Sequence, residues 1–145
     1  MVRTIDVHNH LFPQEWINYL GKRTKCPRME QKESMKAFYS HDVPASRIIH
    51  AGHHDPEARI KDLDRCGIDT QIISLTIPSV EELPVEEGVG WARKINDYFA
   101  EVCHKYPGRF YASATLPLQD VGEALKELDR SYRELKVKIG EEYFK

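Results

Sequence analysis

The stretch Ile5-Asp6-Val7-His8-Asn9-His10 near the start of the chain has the pattern of a short β-strand that ends in two histidines. Side chains alternate along a strand, so His8 and His10 are predicted to project from the same side. Two such imidazoles can bind one divalent metal ion, provided that at least one further protein ligand and an open position complete the site. The alternative is two surface histidines, or a core histidine satisfied by hydrogen bonds. The position directly after the apolar residues of a first strand favours the metal.

Three further β-branched runs follow this strand, and helical stretches separate them. Strands are predicted over residues 68–75, 109–116 and 136–140, and Pro78 and Pro117 stop the first two. Alternation of this kind predicts an α/β protein with a parallel sheet and helical crossovers. A flavodoxin-like binding domain is the less favoured member of that class, because no glycine-rich phosphate loop follows the first strand.

The helices have recognisable caps and apolar faces. Asp55 before Pro56 predicts a helix start, and Gly67 predicts its end. A second helix is predicted to end at Pro107, and a third to begin with a capping-box pattern at Asp120. Three sets of residues are predicted to form the apolar faces: Ile60, Leu63 and Cys66; Trp91, Ile95, Phe99, Val102 and Tyr106; Leu125, Leu128, Tyr132 and Leu135. Cys103 is also expected to be a small core residue, and His104 to be solvated.

Residues 11–54 form a long excursion between the first strand and the Asp55 helix. Two short helices are predicted there, around Glu15–Leu20 and Met29–Phe38. Loops of this length in compact enzymes usually carry function. The excursion ends near a cluster of three histidines: His50, His53 and His54. They are candidates for a second metal site or a pocket wall, with a polar loop before a helix cap as the alternative.

Composition narrows the class of protein. A chain of 145 residues with 41% hydrophobic and 30% charged residues is expected to form one globular domain over 1–145. The net charge of −2, without a basic stripe, argues against a nucleic-acid partner. The three cysteines give no disulfide framework, and no signal peptide or membrane span is apparent. A cytoplasmic protein with a small-molecule substrate is therefore expected.

An ordered series of motifs carries a family resemblance that covers nearly the whole chain and is weakest over 21–54. It runs through these segments: Asp6-Val7-His8-Asn9-His10-Leu11-Phe12-Pro13, Asp55-Pro56-Glu57-Ala58-Arg59-Ile60, Tyr106-Pro107-Gly108-Arg109-Phe110, Leu116-Pro117-Leu118-Gln119 and Val137-Lys138-Ile139-Gly140. The series resembles the amidohydrolase-related (amidohydrolase 2) family, and is nearest to its decarboxylases of the aminocarboxymuconate-semialdehyde and resorcylate types. The resemblance implies a TIM-type (β/α)₈ barrel, of which this chain would hold about the first four βα units.

The resemblance also assigns roles to individual residues. His8 and His10 match the family's first-strand metal ligands, usually for zinc, with manganese as the other candidate. Arg47 resembles the arginine that holds the substrate carboxylate, a role that suits its planar fork. A solvated surface arginine is the alternative. Trp16 is a candidate for lining the substrate pocket, with an ordinary packing aromatic as the alternative.

The family completes its site with ligands and an acid–base group that would lie beyond Lys145, so no catalytic acid or base is expected in this half. A complete barrel typically needs about 250 residues. The chain is therefore expected to be a fragment of a metal-dependent decarboxylase or hydrolase that acts on a small carboxylated substrate. The alternative is an inactive truncated barrel that serves as a binding or dimerisation module, with a homodimer as one form.

Overall fold

The computed structural model of the chain describes residues 3–48 and 50–135. Six strands and four helices follow one another in this order: β1 (Ile5–His10), α1 (Gln14–Leu20), β2 (Arg28–Lys32), β3 (Met35–Ser40), β4 (Val43–Ile48), α2 (Pro56–Cys66), β5 (Thr70–Ser74), α3 (Val85–Lys105), β6 (Phe110–Ala112) and α4 (Val121–Arg133). A 3₁₀ turn, Ala51–His53, precedes α2, and another, Val80–Glu82, precedes α3.

A parallel sheet with the strand order β1-β5-β6 holds the two strands that were predicted after the first. β5 lies in the centre and pairs in parallel with both neighbours. The helices α2 and α3 connect these strands, so the predicted α/β class is confirmed. The strand predicted over 136–140 lies outside the described residues.

β1 contains an irregularity that matters for its side chains. Asp6 pairs with Gln71 and Asn9 pairs with Ile73, so three steps along β1 match two steps along β5. Such a bulge inserts one extra residue into a strand. Asp6 and Asn9 therefore both face the side of Gln71, although they are separated by an odd number of residues.

Helix α2 begins and ends as its sequence predicts. The Asp55 side chain accepts hydrogen bonds from the backbone N–H groups of Glu57 at 2.9 Å and Ala58 at 3.4 Å. Gly67 adopts a left-handed conformation with φ of 66°, which glycine reaches without steric cost. The helix is thus fixed at both ends beside β1 and β5.

Helix α3 supplies much of the core. Its apolar stripe of Ile95, Phe99 and Val102 is buried against Phe110 and Ile73 of the sheet. This confirms the face predicted from the helical spacing. Among the described residues, no helix combines the length and the apolar character that crossing a membrane requires.

Helix α4 differs from the prediction. Its Asp120 cap forms, with the backbone N–H of Glu123 donating at 2.9 Å. The predicted apolar face, however, is largely exposed, at 61% for Leu125 and 65% for Tyr132. The helix instead buries Ala124, Glu127 and Ser131. The prediction of a buried Leu125 face was wrong because periodicity identifies an apolar stripe but not which face the neighbouring helix covers.

Residues 28–48 form a second, antiparallel sheet with the order β2-β3-β4. The predicted helix at Glu15–Leu20 is confirmed as α1, but the helix predicted over Met29–Phe38 was wrong, because these residues form a hairpin that turns at Glu33 with φ of 49°. β4 follows β3 directly and pairs with it, and the packing of this sheet against the core is what local helix preference does not reveal. Phe38 stacks on Phe12 and joins the hairpin to the core.

Candidate functional site

The carboxyl end of β1 places two imidazoles together. The ring centroids of His8 and His10 are 5.1 Å apart, with 76° between the ring planes. His8 is exposed and His10 is half-buried. The geometric expectation that both rings leave the same side of a strand in a parallel sheet is therefore met.

The hydrogen bonds around His10 leave one ring nitrogen available. The Ser74 hydroxyl donates to the Asn9 carbonyl at 2.9 Å, and the same oxygen lies 2.9 Å from His10 Nδ1. Since the single hydroxyl proton goes to the carbonyl, Ser74 Oγ accepts a hydrogen bond from Nδ1–H. That tautomer leaves the lone pair of His10 Nε2 unprotonated, as a metal ligand requires.

The electrostatic environment also favours a neutral His10. Burial lowers its pKa, and the nearby charges of His8 and Arg59 lower it further. A hydrogen bond with the backbone of Ser74 acts in the opposite direction but is outweighed. A neutral imidazole is the form that binds metal, so the environment suits coordination near neutral pH.

A cavity of about 990 Å³ opens beside His10 and reaches the excursion. Its polar and charged lining residues include Asn9, His10, Ser46, Arg47, His50, His53, Arg59 and Gln71. Arg47 projects from β4 and is exposed. Its guanidinium makes no hydrogen bond or ion pair with any residue in 3–48 or 50–135. The structure thus brings Arg47 to the same cavity as His10, as a cation with free donors.

The 3₁₀ turn Ala51–His53 forms another wall of the cavity. The rings of His50 and His53 lie 4.1 Å apart between centroids. Burial lowers the pKa of His53, and the charges of His50, Arg59 and His54 lower it further. Of the two expectations for this histidine cluster, the structure favours the pocket wall for His50 and His53, while His54 is not among the lining residues.

Arg59 is a residue of the site that sequence reasoning missed. It extends from α2, is 9% exposed, and donates hydrogen bonds to Gly52 O at 2.6 Å, His10 O at 2.9 Å and Gln71 Oε1 at 2.9 Å. Its Nη1 also lies 3.5 Å from Asn9 Oδ1. The available signal was its spacing of four residues from the buried Leu63, which places a cation on the inner face of the predicted helix.

The remaining candidates lie elsewhere. Trp16 is fully buried and packs against Tyr19 and Trp91 rather than on the cavity, the position of a packing aromatic. His104 is exposed, as expected. Cys103 packs partly buried against the core, whereas Cys66 is exposed, so the expectation of a core Cys66 was wrong. Cys66 is the last residue of α2, and the buried residues of that helix are Arg59 and Leu63.

The residues present fit a metal in part. His8 and His10 have the spacing of two ligands on one strand end, and His10 also has the tautomer that a ligand needs. Among the described residues, no group of three or more histidine, cysteine, aspartate or glutamate side chains is placed to hold a metal ion. The strand end thus supplies a partial ligand set.

The fold and this site define an α/β protein with histidines and a basic cavity at the carboxyl end of a parallel sheet. The chain belongs to the amidohydrolase family, which matches residues 5–140.

Its relatives include decarboxylases. It is 44% identical over 80 residues to gamma-resorcylate decarboxylase from a Rhizobium species, covering 54% of this chain and 24% of the relative. It is 30% identical over 135 residues to 2-amino-3-carboxymuconate-6-semialdehyde decarboxylase from Dictyostelium discoideum, covering 90% and 37%. The chain thus spans about a quarter to somewhat over a third of the length of these curated relatives.

Two solved structures resemble the fold of this chain. The apo IDCase of Metarhizium anisopliae superposes with a TM-score of 0.78 at 21% identity, covering 88% of this chain and 39% of the other, which shows the shared fold. The 5-carboxyvanillate decarboxylase of Novosphingobium aromaticivorans, solved with manganese and 4-hydroxy-3-methoxy-5-nitrobenzoic acid, has a TM-score of 0.69 at 27% identity, covering 92% and 39%.

Proposed function

We propose that the chain forms part of a metal-dependent decarboxylase that acts on a small conjugated or aromatic carboxylate. In this proposal its parallel sheet is the first section of a (β/α)₈ barrel. The observation that carries the proposal is the placement of His10 and Arg47 on one cavity, because a metal ligand and a free guanidinium are the two groups that hold such a substrate. The decarboxylase relatives support the reaction class.

His8 and His10 are the proposed ligands of a divalent metal, zinc or manganese. When bound, such an ion polarises substrate oxygens and stabilises the negative charge that develops in the reaction. Manganese is supported by its presence in the related 5-carboxyvanillate decarboxylase. Imidazole ligands suit zinc, and manganese at this site would draw on oxygen ligands as well.

Arg47 is the proposed anchor of the substrate carboxylate. A guanidinium can donate two parallel hydrogen bonds to a carboxylate, which fixes its orientation as well as its position. His50 and His53 form the wall beside it and narrow the space in which the rest of the substrate lies. Decarboxylation replaces the carboxylate by a proton on carbon, and we propose that the donor and the further metal ligands come from parts of the protein other than the described residues.

Metal content tests the first part of the proposal. Purified chain, loaded with Mn²⁺ or Zn²⁺ and desalted, is expected to retain metal weakly because it supplies only part of a ligand set. His8→Ala and His10→Ala should each abolish this retention in elemental analysis. His104→Ala, an exposed histidine on α3, is the matched control and should retain metal as the wild type does. Retention that persists in His10→Ala would count against the proposed ligands.

Substrate binding tests the second part. Binding of 2,6-dihydroxybenzoate and 5-carboxyvanillate to the Mn²⁺-loaded chain is measured by calorimetry, because little turnover is expected from a partial site. Arg47→Ala should weaken binding of the preferred compound by about tenfold or more, the worth of a charge-assisted hydrogen bond. Arg47→Lys should recover only part of the loss. Arg133→Ala, an exposed arginine on α4, should have no effect; equal binding by Arg47→Ala would remove Arg47 from the site.

The alternative, a binding or dimerisation module without catalysis, has one observation in its favour. The described residues leave an apolar surface exposed along and before α4, formed by Leu118, Val121, Leu125 and Tyr132. Sedimentation decides between the two functions. A dimer that Leu125→Glu dissociates, together with metal-free protein indifferent to His8→Ala, would favour the module.

A further inference from the structure

We infer that Arg59 is a positioning residue, which holds the histidine-bearing end of β1 and the 3₁₀ turn Ala51–His53 at a fixed separation across the cavity. Its consequence for metal binding rests on the proposed function. Its consequence for the local structure does not, because the contacts that carry it are made without any metal.

The contacts of Arg59 reach three separate segments. Nη2 donates to the backbone carbonyl of His10, and Nε donates to the backbone carbonyl of Gly52 in the turn, at 2.9 and 2.6 Å. Nη1 donates to Gln71 Oε1 on the central strand at 2.9 Å. One planar guanidinium therefore fixes β1, β5 and the turn relative to helix α2.

The two carbonyls that Arg59 binds lie next to a direct hydrogen bond between the same two segments. The backbone N–H of Phe12 donates to the carbonyl of His53 at 2.9 Å. Phe12 follows His10 by two residues, and His53 directly follows Gly52. Arg59 thus binds both of the segments that this hydrogen bond joins, and in the described residues it is the one backbone hydrogen bond between the end of β1 and the turn.

The turn also lies close to α2. A Cβ atom placed on Gly52 would lie 2.7 Å from Asp62 Oδ2 and 3.2 Å from the His50 ring. Such an approach leaves little room for the turn to shift without moving α2. Because α2 is capped at both ends, Arg59 projects from a fixed base.

The surroundings of Arg59 distinguish this role from an ordinary ion pair. The side chain is buried, yet the groups that receive its hydrogen bonds are neutral oxygens. The carboxylates of Asp6 and Asp62 act on it only through space, and a hydrogen-bonded link to Asp6 runs through Gln71, whose Nε2 donates to Asp6 Oδ2 at 2.6 Å. Burial of a cation without a directly bonded carboxylate is unfavourable. The compensation comes from the geometry of the fork, which matches three acceptors on three segments.

Lysine cannot reproduce this fork, since a single ammonium has no rigid planar set of donors. Arg59→Lys in the whole chain keeps the charge and is therefore the test variant. Arg65→Lys is the matched control, because Arg65 lies on the same helix and pairs with Asp62 at the surface. Hydrogen exchange of backbone amides is measured in metal-free protein.

In Arg59→Lys the amide of Phe12 is expected to exchange about tenfold faster, while that of Phe99 in the core of α3 keeps its rate. Arg65→Lys should change neither. The ratio of the two amide rates separates local release from general loss of stability, which would accelerate both. An unchanged ratio in Arg59→Lys would overturn the inference. If Arg59→Lys does not fold, the same ratio is measured in Gln71→Leu, which removes one acceptor of the guanidinium. A raised ratio there supports the inference, and an unchanged ratio overturns it.

Metal binding provides a second reading. Arg59→Lys should raise the dissociation constant for Mn²⁺ by about tenfold, the usual effect of losing a group that orients a ligand. His10→Ala is measured beside it. If His10→Ala does not weaken Mn²⁺ binding, the proposed function fails, and the Phe12 exchange rate still decides the positioning role. If His10→Ala weakens Mn²⁺ binding and Arg59→Lys does not, then Arg59 has no effect on the metal site, while the proposed ligands and the role of Arg59 in local structure still hold.

Discussion

Two buried charged side chains, Arg59 on α2 and Glu127 on α4, are held in opposite ways. Arg59 donates to neutral oxygens of three segments, as described above. Glu127 is 1% exposed and receives hydrogen bonds from Arg130 at 2.7 and 2.9 Å and from Asn96 at 2.7 Å. Asn96 in turn bonds both backbone groups of Thr115. Glu127 thus bonds directly to a cation of its own helix, whereas the carboxylates of Asp6 and Asp62 act on Arg59 without a direct hydrogen bond.

This difference separates a charge that joins helices from a charge that arranges a site. Removing one member of a buried ion pair leaves the other uncompensated, which is strongly destabilising. Removing a buried cation that bonds directly to no carboxylate relieves its desolvation, and the loss consists mainly of hydrogen bonds. Glu127 is therefore expected to matter most for stability, and Arg59 for the geometry beside His10.

The largest effect is expected from Glu127→Met. It should lower the free energy of unfolding by about 3 kcal/mol, because Arg130 and Asn96 lose their shared acceptor. Urea denaturation at pH 7 measures it. Glu123→Met, one turn earlier on the same helix and paired at the surface with Lys126, should stay within about 1 kcal/mol of wild type. A loss of similar size in both variants would show that Glu127 is not special.

The same carboxylate should make stability depend on pH. Burial alone would raise the pKa of Glu127, but hydrogen bonds from Arg130, Asn96 and Ser131 outweigh it and lower the pKa below 4.5. A group with a depressed pKa stabilises the folded chain above its unfolded pKa and loses that contribution as the pH falls. Unfolding free energy should thus decline below about pH 4.5, and Glu127→Gln should flatten the decline. An equally steep decline in that variant would assign the effect to other carboxylates.

A smaller loss of stability is expected from Arg59→Met, about 1 kcal/mol in the same urea experiment. Removing the cation also removes the free-energy cost of its desolvation, and this offsets much of the loss of its hydrogen bonds. The identical replacement at Glu127 is the comparison, and the two values should differ by about 2 kcal/mol. If Arg59→Met were the more destabilising of the two, Arg59 would be part of the stabilising framework in the same sense as Glu127.

The smallest effect is expected on the exposed face of α4. Leu125→Ser removes a side chain that is 61% exposed, so the free energy of unfolding should change by less than about 0.5 kcal/mol. Thermal unfolding at two protein concentrations measures it. A loss well above that value, present only at the higher concentration, would show that this face is covered by a second copy of the chain.

Much of the parallel half of the molecule could be predicted from sequence. The β1 histidines, the Asp55 cap and the α3 stripe depend on side-chain alternation, on capping and on helical spacing, all of which are local. The strands over 28–48 could not, because they are held against the core by contacts with distant residues, such as the stacking of Phe38 on Phe12. The same holds for α4, since its buried face is chosen by Asn96 on another helix.

The site divides in the same way. His8 and His10 could be predicted from one strand. Arg47 was predicted from a family resemblance, and the structure places this residue on the cavity. The wall formed by His50 and His53 was one of the alternatives predicted for the histidine cluster, whereas Arg59 was not assigned, because its role arises only when α2, the turn and β1 meet. A charged residue on the inner face of a predicted helix is the sequence feature that would have indicated Arg59.

The extra residue in β1 makes the length of this strand as restrictive as its chemistry. Asp6 and Asn9 both face the Gln71 side only because three residue steps separate them, whereas two steps separate their partners Gln71 and Ile73 on β5. Without the bulge, regular alternation would place Asp6 and Asn9, which are three residues apart, on opposite faces of the sheet, and one of them would lose its place on the Gln71 side. A change that removes the bulge while keeping the number of residues should therefore disturb this face far more than a substitution at the exposed Val7 that leaves the bulge in place.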